Sequence, residues 1–147
     1  MIPLQANAIT KAVQKMLKAD PRLENITTIE RSPLLNEDPS KCPWIGIYRD
    51  ESTFEVRTLG LGPGARRQQT RIVLVLQVSN ANDGEQTEDE LEEYVSYALD
   101  VLFSDATLLG NVSTITLSSA KYRLVQVQED DFFQQAELYI TAETVTR

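Results

Sequence analysis

Histidine is absent from this chain, and cysteine occurs once, at Cys42. The first absence removes the Ser-His and Cys-His nucleophile systems, together with the commonest acid/base group and metal ligand. The second leaves no internal disulfide and no cysteine-based zinc cluster. Long hydrophobic runs are also lacking, and nothing approaches the roughly 20 apolar residues that span a bilayer. Met1 to Lys18 has no basic flank followed by an apolar core, so it does not read as a secretory signal and a cytoplasmic start is expected. Basic charge is scarce, with 14 Lys and Arg against 22 Asp and Glu, a net charge of -8. Such a surface repels phosphate backbones, which disfavours sequence-specific DNA binding. The triplets Asn25-Ile26-Thr27 and Asn111-Val112-Ser113 carry little meaning without secretion.

What remains is an ordinary globular composition, 41% hydrophobic and 24% charged over 147 residues, which fits one domain spanning 1–147. The organising stretch runs from Gln68 to Phe103. Ile72 to Leu76 is an unbroken apolar run rich in β-branched residues, as expected of a central strand buried on both faces. Asn80 to Gln86 reads as a polar loop with a turn signal at Asp83-Gly84. After it, Leu91, Tyr94, Val95, Ala98, Leu99, Leu102 and Phe103 recur on one helical face. Thr87-x-x-Glu90 reads as the capping box of that helix, with Glu88 and Asp89 suited to its positive end. Glu92 and Glu93 continue a solvated face; as a catalytic pair they lack any partner that would shift a pKa. Gly84 and Glu90 stand at two calcium-loop positions, but Ser79 and Ala81 occupy others, which argues against calcium.

An earlier helix is expected over Asn7 to Ala19, with Ile9, Ala12, Val13, Met16 and Leu17 on its apolar stripe and Lys11, Lys15 and Lys18 elsewhere. Asp20-Pro21 stops it, and Met1 to Ala6 are left as a candidate N-terminal arm. Ile26 to Ile29 has the character of a short strand near an edge. The Pro-rich loop Arg31 to Pro43 is long, and reads equally as a contact segment or as locally disordered. Trp44 to Tyr48 and Phe54 to Thr58 read as two strands joined by a turn at Arg49-Asp50-Glu51-Ser52. Trp44 is expected as a sheet anchor, an interface anchor being the alternative.

Gly60-Leu61-Gly62-Pro63-Gly64 lacks the Gly-Lys-Ser/Thr of a phosphate loop and has strands on both flanks. A flexible hairpin tip is the plainer reading and a protruding contact loop the other. Arg66, Arg67 and Arg71 form the tightest basic group, placed to meet carboxylates on a neighbouring copy. Leu108-Leu109-Gly110-Asn111 contains a glycine for the turn back to the sheet. Val112, Ile115 and Leu117 begin a strand, Ser118-Ser119 marks a bend before Tyr122, Leu124, Val125 and Val127 resume it, and Glu129-Asp130-Asp131 turns into a last strand over Phe132 to Val145. There Ala136, Leu138, Ile140 and Ala142 should face the core, and Glu137, Tyr139, Thr141 and Glu143 a polar side. The fold class expected is α+β, a largely antiparallel mixed sheet of about five or six strands with two main helices.

Taken together, the first helix, the Pro-broken loop, Pro43-Trp44-Ile45-Gly46-Ile47-Tyr48, the glycine-tipped hairpin with Arg66-Arg67, the apolar strand, the acidic-capped helix, Leu109-Gly110-Asn111 and two closing strands resemble the tail terminator proteins of long-tailed bacteriophages. These are also called tail completion or minor tail proteins. The resemblance spans Ile9 to Thr144 and rests on element order and loop character. It implies a non-enzymatic virion protein without cofactor or metal. Such a protein is a homo-oligomer, usually a hexameric ring, at the head-proximal end of the tail tube. There it stops polymerisation and meets the head connector, with tail tube protein and a neck protein as partners. Genomic DNA would pass through the ring without sequence-specific binding, and no membrane is involved. The tip residues Leu61, Pro63, Arg66 and Arg67, with Arg71 and the loop residues Leu34 and Leu35, are the candidate interface. Another phage neck, connector or tail-tube protein, or a non-enzymatic cytoplasmic adaptor, is the alternative.

Overall fold

Apolar residues at helical spacing open the chain. The computed structural model describes residues 6–31, 34–56, 66–79, 84–128 and 131–146. Helix α1 (Ala6–Ala19) buries Ile9, Ala12, Val13 and Leu17, with Met16 packed against the same core. Asp20 ends it and caps a short 3-10 turn, Pro21–Leu23, by accepting from the Arg22 backbone N–H at 2.8 Å. The remaining elements are β1 (Thr28–Arg31), a second 3-10 turn (Pro39–Lys41), β2 (Trp44–Val56), β3 (Arg66–Ser79), α2 (Gly84–Ser104), β4 (Thr114–Gln128) and β5 (Asp131–Thr146). They form one sheet of five strands in the order β1-β2-β3-β5-β4. β1 runs parallel to β2, and every other neighbour pair is antiparallel. The chain is therefore a single α+β domain with a mixed sheet and two helices. Among the described residues no helix is long and apolar enough to cross a membrane.

Both helices pack on one face of the sheet. Ile45 and Ile47 of β2, Ile72, Leu74 and Leu76 of β3, and Leu138 and Ile140 of β5 meet α1 and α2 there in one buried core. The central run is covered on its other face as well, since Val75 is buried outside that core. α1 and α2 are tied at their ends by Arg22, whose guanidinium bonds Asp100 at 3.2 Å and lies 5.0 Å from the centre of the Tyr97 ring.

Four expectations need correction. Arg49-Asp50-Glu51-Ser52 is no turn: β2 runs through it, and a register shift between Arg49 and Glu51 absorbs Asp50 as a bulge. No glycine or proline reverses the chain there, and Ser52 Oγ instead pairs with Thr70 Oγ1 on β3 at 3.1 Å. Helix α2 begins at Gly84, so Thr87 is inside it and the capping box does not form. Thr87 lies four residues before Leu91, on the face that packs on the sheet, and is buried with it. Phe103 is 43% exposed, because Val101 completes the inward stripe with Ala98 and Leu102 while Phe103 sits a further helical step round. Glu137 is not on a solvated face: it is buried beside Gln135.

Two expected features stand. The connection after α2 contains a left-handed run, Leu108 (φ 47°), Leu109 (φ 59°) and Gly110 (φ 83°). Such backbone is costly for leucine. Here it is held by Asp105, whose carboxylate accepts from the backbone N–H groups of Thr107 and Leu109, both at 3.0 Å, and by complete burial of the Leu108 side chain. The bend expected at Ser118-Ser119 is a register shift between Leu117 and Ser119 in β4.

Candidate functional site

Three surfaces are candidates, and the first two carry the residues that the sequence singles out. The first is the long β2–β3 hairpin. Its pairing runs from Trp44 opposite Gln77 to Val56 opposite Arg66, and β5 lies along the other side of β3 as far as Thr146. Leu61 and Pro63 fall outside the described residues. Arg66 opens β3, and its side chain is likewise outside them. Arg67 meets Glu143 of β5 at 2.8 Å, and Gln69 donates to the same carboxylate at 3.2 Å. Those donors, Arg67 first, hold Glu143 below the usual carboxylate range. Arg71 meets Asp50, the bulge residue, at 3.2 Å, and its guanidinium lies 4.7 Å from the centre of the Tyr139 ring. Both arginines thus have acidic partners within the chain, although each stays close to half exposed.

The second surface is the loop from Leu34 to Pro43. Asn36 donates to Gln77 Oε1 at 3.2 Å while Gln77 Nε2 donates back to the Asn36 carbonyl at 3.3 Å. Gln77 also donates to Gln135 at 2.8 Å, Gln135 to Glu137 at 3.2 Å, and Arg123 closes the chain on Glu137 at 3.0 Å. The cover provided by this loop explains why polar side chains of β3 and β5 are buried: each has a partner, as burial requires. Beneath the same loop Trp44 is wholly buried, folded back over Gly46, and donates from Nε1 to Glu30 at 2.8 Å. Trp44 is therefore an anchor of the sheet face. Tyr48 OH donates to the Leu34 carbonyl at 2.7 Å, and burial, with Glu30 nearby, raises its pKa. Leu34 and Leu35 project outward from this scaffold, 75% and 50% exposed. They border a shallow hollow of about 380 Å³ with Glu30 and Lys41.

The loop runs along β3 rather than away from it. Asn36 sits at Gln77, while Leu34 is held at Tyr48, which stands opposite Val73. Leu34 is thus anchored two residues of β3 from Arg71 and six from Arg67, the latter a span of about 20 Å.

The third surface was not singled out from the sequence. A groove of about 820 Å³ runs between α2 and the outer strand β4, lined by Glu85, Glu88, Leu91 and Glu92 on the helix and by Tyr122, Arg123, Leu124, Gln134 and Gln135 on the sheet. Tyr122 and Leu124 are 60% and 58% exposed. β4 ends the sheet, so its outer edge has no partner strand among the described residues. At the opposite end β1 pairs with Trp44 to Ile47, which leaves Tyr48–Val56 of β2 without a partner on that side among the described residues. Tyr122 and Leu124 read from the sequence as apolar strand residues, but only the fold puts them beside the acidic flank of α2. Compared with models of known protein families and with curated proteins, the chain matches none.

Proposed function

We propose that this chain is a structural assembly protein of a tailed bacteriophage, a ring-forming tail terminator at the head-proximal end of the tail tube. The observation that carries the reading is the sheet itself. A long antiparallel hairpin extends from a five-stranded core whose two outer sides are unpaired over long stretches among the described residues. Sheet edges of that length are usually blunted or occupied by a neighbouring chain. Exposed Tyr122, Leu124 and Phe54 lie on these outer strands. Two different surfaces at opposite sides of one subunit are what a head-to-tail ring requires, because each copy offers one to the copy before and the other to the copy after.

In this reading the ring caps the tube because its outer face no longer matches the tube subunit. The tail tube protein and a head connector or neck protein are its partners, and DNA slides through a lumen that acidic charge keeps from gripping phosphates. The site of action is the virion, at the junction of head and tail. Incubation with purified tail tubes, followed by negative-stain imaging with an antibody to this chain, tests the role. Label at one tube end supports it. Label along the tube wall assigns a tube role instead, and no label at any tube overturns the terminator reading.

A further inference from the structure

We infer that the groove between α2 and β4 receives helix α1 of a second copy of this chain, aligned antiparallel to α2. The contact rests on the ring reading and names its interface. Lys11, Lys15 and Lys18 are all exposed on α1, within an arc of about 60° opposite the core. None of them forms an ion pair with a described residue. Read along the chain, they are separated by four and then three residues.

The acidic wall of the groove is Glu92, Glu88 and Glu85, and read backwards along α2 these are also separated by four and then three residues. Two helices laid antiparallel therefore bring Lys11 to Glu92, Lys15 to Glu88 and Lys18 to Glu85. Each set spans seven residue steps of helix, a length of about 10.5 Å. The floor of the groove suits lysine as well. Tyr122 and Leu124 offer apolar surface to the aliphatic stems while the ammonium groups reach the carboxylates. Arg123, the one cation among the described residues that line the groove, is held by Glu137 at 3.0 Å.

Charge on the whole chain makes a chance contact between copies unfavourable, since the net charge is -8. A basic stripe matched to an acidic one overcomes that locally and fixes the register. The two stripes are different surfaces, so the contact is heterologous and propagates around a ring.

Charge exchange tests it. Lys15→Glu and Glu88→Lys are made separately, together in one chain, and as separate chains mixed in equal amounts. Far-UV circular dichroism checks the fold, and light scattering or sedimentation reads the mass. Either single change should raise the concentration needed for assembly about tenfold, and both the double variant and the mixture should recover the native value. Rising salt should weaken native assembly. Single variants that assemble like the native chain overturn the contact while leaving a ring built on other surfaces intact. Folded single variants that lose assembly with no recovery on exchange also overturn it. A native chain that stays monomeric overturns the contact, and the terminator reading is then judged at the tube ends alone.

Discussion

Gly46→Ala probes the packing beneath the Leu34–Pro43 loop. Gly46 lies two residues after Trp44, on the same side of β2, and the wholly buried indole folds back across it. A Cβ at this position would stand 2.1, 2.7 and 2.8 Å from three carbons of the ring. No rotation of the methyl relieves that, so the indole must leave its place and its 2.8 Å bond to Glu30. Overpacking of this kind costs about 1–3 kcal/mol, and the lost hydrogen bond about 1 kcal/mol more. Alanine's smaller entropy loss in a strand returns about 0.5–1 kcal/mol. The net loss is about 2 kcal/mol, or about 6 °C in Tm for a chain of this size. Trp44 is the one tryptophan, so its fluorescence follows urea unfolding and reports its own surroundings. The variant should show a lower midpoint and red-shifted native emission. An unchanged midpoint with unchanged emission would refute the packing described here.

Gly110→Ala should destabilise for a different reason: at φ 83° nothing lies within 4 Å of the added carbon, so the cost is backbone strain alone, about 1 kcal/mol. Equal stability of the variant in urea would contradict it. Asp105 is held below its ordinary pKa by the Thr107 hydroxyl and by the backbone N–H groups of Leu109 and Thr107. A depressed carboxylate stabilises fully above its unfolded value and loses that effect as pH falls through the folded one. Asp105→Asn should therefore be less stable than the native chain at neutral pH, with the gap closing in acid below the ordinary value of 3.8; a gap independent of pH would oppose this. Burial, with Asp38 nearby, pushes the Cys42 thiol up to about 12, so a thiol reagent at mildly alkaline pH should label the unfolded chain readily and the native one slowly.

Periodicity made the helices legible, because Ile9, Ala12, Val13 and Leu17 repeat at the spacing of one buried face. The central strand was legible for the same kind of reason, as an unbroken apolar run. Boundaries failed where a local signal competed with a distant partner. Arg49 to Ser52 is polar enough for a turn, yet β3 supplies Thr70 and Arg71 to pair with Ser52 and Asp50. Thr87-x-x-Glu90 matches a capping box, yet the helix extends back to Gly84 and turns Thr87 inward. The burial of Gln77, Gln135 and Glu137 depends on cover by a loop some forty to one hundred residues earlier in the chain, which no local pattern reports.

The candidate surfaces divide in the same way. Arg67 and Arg71 were legible as a basic group, but not their acids: Glu143 is 76 residues from Arg67, and Asp50 sits on the neighbouring strand. In the sequence the lysines of α1 simply lie off its apolar stripe, Glu85 falls in a polar loop, Glu88 suits the positive end of a helix and Glu92 continues a solvated face. Their common spacing acquires meaning only once Tyr122 and Leu124 are found beside the glutamates.

Whether copies of this chain assemble with one another is read from the mass of the purified chain in solution, by light scattering with negative-stain images of the same fraction. Closed rings of about six copies are expected. A monomer that persists as concentration rises and salt falls, and that shows no rings when tail tubes are added, would contradict such assembly.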